Sequence, residues 1–344
     1  MNVKVADLLE DPFRERSAVG MHRDMHLLGA RVRFESNSAD LLRLVDSAYA
    51  GLPRHRLSPV VPRLRVRLLL TSPERRRKSA RAEPNPFQMM SGAGLVGAAT
   101  GSSTFMVLSP EDRGALIAVA PGMLRFPYHT RYELIEFAVF TLASRVQGLV
   151  PLHGACVGRA GRGVLLLGPS GAGKSTVTLQ CLLEGLGFLA EDSVFVVPDT
   201  LLATGVGNFL HVRADSLRWI AQRSRARSIR KSPVIVRRSG VRKYEIDLRA
   251  GEYHLAERPM KLGAIVFLSA QRVMDGHLLK RLSPAEALPR LVQEQAYAAS
   301  QPSWKPFMRN AGRLPFFELC RGQHPSEAVA MLRDLIESPS RGGL

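Results

Sequence analysis

The sequence contains few cysteines and few aromatic residues, and charged or polar residues interrupt its longest hydrophobic stretch. Its three cysteines, Cys156, Cys181 and Cys320, are far apart and none forms a C-x-x-C pair, so zinc or redox chemistry of that kind is excluded. The longest apolar stretch, residues 134–150, contains Glu136, Arg145 and Gln147. Charged and polar side chains are costly inside a bilayer, so we expect no membrane span.

Residues 1–17 lack the features of a secretory signal. They mix acidic with basic side chains and contain no continuous apolar core. Together with the sparse, odd number of cysteines, this predicts a reducing, cytoplasmic location.

Acidic residues are also scarce relative to basic ones. The chain has 30 Asp and Glu against 48 Lys and Arg, which gives a formal net charge of +18. Such a surface attracts nucleic acid, anionic lipid, nucleotides or an acidic protein partner, although a general bias toward arginine would give the same excess. The charge alone does not choose among these partners.

Hydrophobic residues make up 45% of the 344 residues, which is enough for one large domain or for two ordinary domains with their own cores. We predict an N-terminal α+β domain over residues 1–148, for substrate or partner recognition, and a catalytic domain over residues 149–344. Period-two and helical patterns predict the individual elements. The predicted strands of the first domain are 25–34, 63–70, 94–108 and 115–120, its predicted helices are 38–49 and 128–146, and 72–87 is a predicted basic loop. The predicted strands of the second domain are 163–167, 264–269 and 314–319, and its predicted helices are 175–186, 284–299 and 325–336.

A glycine-rich segment at the start of the second domain matches the P-loop pattern G-x-x-x-x-G-K-[ST] in full. A predicted strand runs into it and a predicted helix runs out of it. The glycines allow consecutive backbone amides to turn toward phosphates, and the following helix adds its positive end. The predicted nucleotide-binding residues are Gly168, Pro169, Ser170, Gly171, Ala172, Gly173, Lys174, Ser175 and Thr176.

These residue types predict ATP and Mg²⁺ as ligands. In a P-loop the lysine, here Lys174, reaches the β- and γ-phosphates, and the hydroxyl of Ser175 is a ligand of the metal. Thr176 is the next polar neighbour. Many classes of protein use a P-loop, so this motif by itself does not name the phosphate acceptor.

Two adjacent carboxylates, Glu191 and Asp192, follow the next apolar strand after the loop helix. A kinase needs a carboxylate for the metal and a base beside the acceptor hydroxyl. Because adjacent side chains on a strand diverge, either one faces the metal alone or both reach it once the strand has ended. An ordinary acidic turn is the alternative reading of this pair.

The run from LHGACVGRAGRGVLLLGPSGAGKST to LAEDSVFV, residues 152–197, resembles the catalytic domain of the HPr kinase/phosphorylase family. In that family a His-Gly pair, here His153-Gly154, precedes the P-loop at this spacing. An Asp-Asp pair follows at the position of Glu191-Asp192. The resemblance implies an α/β fold with a P-loop nucleotide-binding core of the HPr kinase / PEP carboxykinase-like type, joined to an N-terminal α+β domain.

Site roles follow from the same resemblance. It implies that Glu191 is the proton acceptor, that Asp192 is a metal or second carboxylate partner beside Ser175, and that His153 helps to position carboxylate and phosphate. The chain departs from the family in having Glu at position 191. It also lacks a Glu-Ile-Arg-Gly-Leu-Gly type segment, so the resemblance does not extend to the reverse, phosphorolytic reaction.

Other charged residues offer further candidates. Arg213 or Lys243 could neutralise charge that develops during phosphoryl transfer, although each is also well explained as a solvated surface charge. The basic segment 223–243 has Trp219 nearby but no interleaved aromatics, so nucleic acid is an unfavoured partner. An acidic peptide or phosphorylated ligand fits it better. His211 and the other histidines are too scattered to predict a metal site.

The leading prediction is an ATP-dependent, HPr-kinase-like serine kinase that acts on a protein or peptide. Related sequences include kinases that tailor secreted peptides. The alternatives are a small-molecule kinase, for example one acting on free serine, and a regulatory ATPase whose slow hydrolysis switches an interaction of residues 1–148. A homo-oligomer is compatible with all three.

Overall fold

The computed structural model describes residues 20–72, 84–101, 103–273 and 278–337. Within them the chain is a mixed α/β protein with three sheets. It divides into two compact units. The first contains residues 20–25, 32–48 and 63–142, and the second contains residues 26–31, 49–62 and everything described from 143 onward.

The first unit is built on a seven-stranded sheet with the order β1-β2-β3-β7-β6-β5-β4. Its strands are β1 Met21–Leu27, β2 Ala30–Ser36, β3 Arg63–Leu70, β4 Gln88–Gly92, β5 Leu95–Thr100, β6 Thr104–Ser109 and β7 Gly114–Val119. The strand predicted over residues 25–34 is wrong: two strands meet there at a turn in which Leu28 and Gly29 have φ of 50° and 80°. Apolar residues recur in both strands, and a turn of only two residues does not interrupt that pattern.

Alternation explains which face of this sheet is buried. Leu64, Val66 and Leu68 of β3 are buried, whereas Arg65, between the first two, is exposed. The predicted strand 63–70 is confirmed, and so is the helix after Ser38, which is α1, Ala39–Tyr49. The predicted helix 128–146 is also present, with an unpredicted π-helical part. It comprises Pro127–His129, the π-helical turns Thr130–Glu136, and α2, Phe137–Gln147.

The second unit contains a nine-stranded sheet, a three-stranded sheet and the remaining helices. Its strands are β8 Val150–Leu152, β9 Ala155–Arg159, β10 Arg162–Leu167, β11 Gly187–Ala190, β12 Val194–Val197, β13 Leu202–Gly205, β14 Phe209–Val212, β15 Val234–Val236, β16 Arg242–Asp247, β17 Met260–Arg272, β18 Leu279–Leu282 and β19 Phe316–Arg321. Its helices are α3 Lys174–Leu183, α4 Arg223–Ile229, α5 Pro284–Glu294, α6 Ala296–Ala299, α7 Trp304–Ala311 and α8 Pro325–Glu337. Short 3₁₀ turns lie at Ala214–Trp219 and Leu248–Ala250.

The nine-stranded sheet has helices on both faces. Strand β17 pairs in parallel with β10 on one side and with β19 on the other. Leu165 and Leu167 of β10 pack into a core shared with α5, α6 and α7, and the alternate residues Val164 and Leu166 pack into a core shared with α3 and α8. Fully burying each such side chain contributes roughly 1.5–3 kcal/mol, so the continuous apolar run of β10 is explained by helices on both sides.

The helix predicted over residues 284–299 is two helices. α5 begins where the Ser283 side chain accepts a hydrogen bond from the backbone of Glu286, whose carboxylate reaches back to the Ser283 amide. Its last residue is Glu294. The next residue, Gln295, has a φ of −121°, which is not helical, and α6 begins after it. The strand predicted over 314–319 is β19, and the helix predicted over 325–336 is α8; both are confirmed to within two residues at each end. The strand predicted over 264–269 is also confirmed, but β17 extends three to four residues further at each end.

A three-stranded sheet with the order β14-β16-β15 packs with α4 around apolar residues of α3. Most of the basic segment 223–243 belongs to this layer, in α4, β15 and the hairpin that leads into β16. Its prediction as an exposed segment is therefore only partly correct. Ala226 and Ile229 are buried in the core, and the side chain of Arg237 is 20% exposed.

Two predictions lie outside the described residues: the polar N-terminal stretch 1–17, and the greater part of the basic loop 72–87. In the part of the chain that the structure describes, no helix has both the length and the apolar character that a membrane crossing requires. The predicted cytoplasmic location stays a prediction.

Candidate functional site

The glycine-rich turn connects the end of β10 to the start of α3, at the carboxyl edge of the parallel strands. Gly168, Gly171 and Gly173 have φ of 140°, 83° and 107°, values that side-chain-bearing residues rarely adopt. A Cβ on Gly168 would lie 2.8 Å from the carbonyl oxygen of Leu268 on β17. The turn therefore requires glycine both for its dihedral angles and for its close approach to the neighbouring strand.

Lys174 lies across this turn. Its Nζ donates to the carbonyl oxygens of Gly168 and Pro169, the latter at 3.4 Å, and only 9% of the residue is exposed. Burial lowers the pKa of Lys174, and the negative charges of Asp192, Glu294 and Glu191 oppose this effect. The ammonium group is thus held by the carbonyls of the turn, and the charges of the acidic pair act on it.

The flanks of the turn have their own contacts. Arg321 of β19 donates from Nη2 to the carbonyl oxygen of Gly171. The Thr176 hydroxyl lies 2.8 Å from the Ser216 hydroxyl, so it is directed toward the 3₁₀ turn Ala214–Trp219. Ser170 is exposed and Ala172 is buried. Among the predicted loop residues, Lys174 and Ser175 are the ones in contact with, or charge-coupled to, the acidic pair.

Sheet direction brings the acidic pair to the same edge as the turn. Strand β9 is antiparallel to both β10 and β11, so the carboxyl ends of β10 and β11 point the same way. Glu191 directly follows β11. Its Oε1 accepts a hydrogen bond from the Ser175 hydroxyl, and its Oε2 accepts one from the backbone amide of His211 at 2.8 Å. With 2% of its side chain exposed, Glu191 is a buried partner of the P-loop serine.

His211 also lies beside Glu191, although the scattered histidines of the sequence predict no such cluster. Its Nδ1 lies 3.7 Å from Glu191 Oε2, and its Nε2 lies 3.1 Å from Oε1 of Glu245. Burial lowers the pKa of His211, but the two carboxylates outweigh it and the net pKa is raised. Glu191, Asp192 and His211 each offer a ligand atom within 4.8 Å of the others. Because β14 and β16 place His211 opposite Glu245, only strand pairing could reveal this contact.

Asp192 is held at both its backbone and its side chain. Its φ of 66° is left-handed, a conformation that Asp tolerates better than most residues. Its carbonyl oxygen accepts a hydrogen bond from Nδ1 of His153 at 3.1 Å, and Arg237 Nη2 donates to its Oδ2 at 2.7 Å. Burial raises the pKa of Asp192, but the charges of Arg237 and Lys243 prevail and the net pKa is lowered.

The two predicted charge stabilisers have different positions. Lys243 is near enough to lower the pKa of Asp192. Arg213 has 58% of its side chain exposed, and its Nη2 is 3.9 Å from Asp215. The structure therefore places Lys243 and the unpredicted Arg237 near the acidic pair.

The His153-Gly154 pair follows β8 and is fixed by Gln295 at the end of α5. The Gln295 side chain accepts from the His153 amide at 2.7 Å and donates to the His153 carbonyl at 3.0 Å. A Cβ on Gly154 would lie 2.7 Å from the carbonyl oxygen of Leu166 on β10. Glycine is required here because the chain enters β9 directly against β10, its antiparallel neighbour. His153, the residue before Gly154, contacts Asp192.

We expect Gly154→Ala to destabilise the protein by about 1–3 kcal/mol, since β10 would have to shift to admit the methyl group. Chemical denaturation would measure the free energy of unfolding. Gly263→Ala is the matched control on β17, because its Cβ would meet only the carbonyl oxygen of Gly163 at 3.8 Å, an ordinary contact. Equal stability of the two variants would contradict the steric account.

Comparisons with known proteins do not identify a family for this chain. No protein-family model matches the chain, and no curated protein matches it. Among solved structures, the Hpr(Ser) kinase/phosphatase from Coxiella burnetii is similar over 54% of this chain and 94% of that chain. The identity is 12% and the TM-score is 0.28, which is too low to carry an argument. The resemblance to the HPr kinase family therefore stays a prediction from residues 152–197.

Proposed function

We propose that this protein binds ATP with Mg²⁺ and transfers the γ-phosphate to a hydroxyl group. The observation that carries the proposal is the contact between two motifs that are separate in sequence. Ser175, the metal-binding position of the P-loop pattern, donates a hydrogen bond to Glu191 of the acidic pair. Lys174 lies across the same turn and donates to the carbonyl oxygen of Gly168. A glycine-rich turn with a lysine, a carboxylate for the metal and a carboxylate for the acceptor proton are parts that recur in enzymes of phosphoryl transfer.

The donor set fits Mg²⁺. The Ser175 hydroxyl and the carboxylates of Glu191 and Asp192 are oxygen ligands, which this hard cation prefers. The imidazole of His211 is already engaged by Glu245, so it supports the carboxylates. Bound Mg²⁺ would neutralise negative charge on the β- and γ-phosphate oxygens. Ser175 and Glu191 are the residues that would hold it.

For proton transfer we assign Asp192 the role that the sequence resemblance gave to Glu191. Both carboxylate oxygens of Glu191 are engaged and 2% of its side chain is exposed, whereas 18% of the Asp192 side chain is exposed. In the proposed step the acceptor oxygen bonds to the γ-phosphorus while the bond from the γ-phosphorus to the β–γ bridging oxygen breaks. ADP leaves, and the acceptor proton passes to Asp192. Its low pKa is tolerable because positioning dominates in loose phosphoryl-transfer transition states.

For the acceptor we propose a serine hydroxyl of a protein or peptide. The support is the sequence resemblance over residues 152–197 and the basic character of the chain, with its net charge of +18, which suits an acidic partner. The alternatives of a small-molecule acceptor and of slow, regulatory hydrolysis predict different products from the same reaction mixture.

Incubation with γ-labelled ATP, Mg²⁺ and a panel of acceptors tests the proposal. The panel would contain serine-containing acidic peptides, free serine and no acceptor. We expect label in a peptide. Label in free serine would identify a small-molecule kinase, and slow phosphate release with no labelled acceptor would identify a regulatory ATPase. Absence of any ATP binding by calorimetry would refute all three.

A further inference from the structure

Asp192 adopts a backbone conformation that needs support from its surroundings. Its φ of 66° lies in the left-handed region, which is unfavourable for residues other than glycine, though less so for Asp than for bulkier residues. Such residues persist where neighbouring groups fix them. His153 fixes the backbone end of Asp192 through the carbonyl oxygen, which leaves the orientation of the carboxylate to be fixed by a different residue.

Arg237 holds the carboxylate end. Its Nη2 is 2.7 Å from Asp192 Oδ2 and 3.4 Å from His211 Nδ1. The two side chains of the ion pair are 20% and 18% exposed, so water screens the pair less than it screens a surface pair. Arg237 is therefore in contact with both Asp192 and His211.

The backbone of Arg237 is itself fixed by the hairpin between β15 and β16. Its amide donates to the carbonyl of Val241 at 2.9 Å, and its carbonyl accepts from the amide of Gly240 at 2.8 Å. Gly240 has φ of 77°, which permits the tight turn. A guanidinium on a closed hairpin is pre-organised, so it can set the direction of its partner carboxylate.

The carboxylate so held lies beside the residue that contacts the glycine-rich turn: a ligand atom of Asp192 is within 4.8 Å of one of Glu191, and Glu191 accepts a hydrogen bond from Ser175. Among the negative charges that oppose the lowering of the Lys174 pKa by burial, Asp192 has the largest effect. Without Arg237, this carboxylate would be free to pair with Lys174 or Lys243 instead, since both cations act on it electrostatically.

We infer that Arg237 is a positioning residue for Asp192: it holds the carboxylate of the proton-accepting residue in its working direction. This inference rests on the proposed function and adds to it a residue from outside the P-loop and the acidic pair. Arg237 acts through Asp192, so its loss should affect the rate of the chemical step much more than the affinity for nucleotide.

The test is ATP hydrolysis with Mg²⁺ and no added acceptor, in which water takes the place of the hydroxyl. For Arg237→Ala we expect kcat to fall about a hundredfold while KM for ATP stays within about threefold, since misplacing a reacting group by about 1 Å has an effect of this size. Arg237→Lys should retain intermediate activity. Added guanidinium ion, at concentrations well below denaturing ones, should partly restore kcat of Arg237→Ala.

Arg242→Ala is the matched control, because Arg242 lies on the same hairpin and is exposed. It should keep the kcat of the unaltered protein, and the thermal midpoints of both variants should be compared to exclude loss of folding. A normal kcat in Arg237→Ala would overturn the inference alone. So would a loss confined to KM, or a loss that neither Lys nor guanidinium relieves. If the unaltered protein neither binds nor hydrolyses ATP, the proposed function fails and the inference fails with it.

Discussion

Lys174→Ala should weaken ATP binding by roughly 30-fold to 4,000-fold, which corresponds to about 2–5 kcal/mol for removing one partner of a buried, charged interaction. Lys174 is 9% exposed, and its ammonium group already lies against the carbonyls of the turn. It is therefore pre-positioned where phosphates would enter, and no neighbouring cation on α3 can replace it. Isothermal titration calorimetry with ATP and Mg²⁺ would measure the change in Kd.

The same variant has a second expected consequence. Burial lowers the pKa of Lys174, so the folded protein carries a cation in a place that disfavours charge. Removing it should leave the fold intact or slightly more stable in the absence of nucleotide. Lys305→Ala, at an exposed position on α7, is the control for loss of a lysine. Unchanged ATP affinity in Lys174→Ala would refute the assignment of the glycine-rich turn as a nucleotide site.

The acidic pair should separate into two roles under substitution. For Glu191→Gln we expect the Mg²⁺ concentration for half-maximal activity to rise about 10- to 100-fold, the usual effect of disturbing a metal-holding group. Glutamine has one oxygen and one NH₂ group. The Ser175 hydroxyl and the His211 amide donate to different oxygens of Glu191, so glutamine would present its NH₂ group, itself a donor, to one of them.

Asp192→Asn should behave differently. We expect its kcat to fall about 10²- to 10⁴-fold, the range for loss of a general base, while the Mg²⁺ requirement changes only a few-fold. Activity measured over a series of Mg²⁺ concentrations distinguishes the two variants. If Glu191→Gln keeps a normal Mg²⁺ requirement and loses only kcat, Glu191 is the base and the assignment from the sequence resemblance was the better one.

The local motifs could be read from the sequence because each depends on a few consecutive residues. The glycine spacing of residues 168–173 is needed for the positive φ angles of one turn, and the apolar run of β10 is needed for burial on both faces. The cap residue Ser38 and the apolar spacing behind it predicted α1 for the same reason. In all these cases the residue pattern that carries the prediction lies within a few consecutive residues.

Sequence reading failed where a distant chain segment decides the outcome. The strand predicted over 25–34 is a hairpin, since a two-residue turn does not interrupt apolar alternation. From the sequence, His211 is one of several scattered histidines, and Arg237 is one of the charges of a basic segment that is predicted to be exposed. Their partners, Glu245 and Asp192, are 34 and 45 residues away in the chain.

The sequence by itself determined the glycine-rich turn, the nearby acidic pair and the α/β character of the chain, because local dihedral preferences and hydrophobic periodicity govern them. Tertiary structure alone decided which carboxylate touches Ser175, which one Arg237 holds, and how deeply each is buried. The physical reason is that two neighbouring carboxylates have nearly the same intrinsic chemistry. Their roles diverge only through the charges and hydrogen bonds that other strands bring to them.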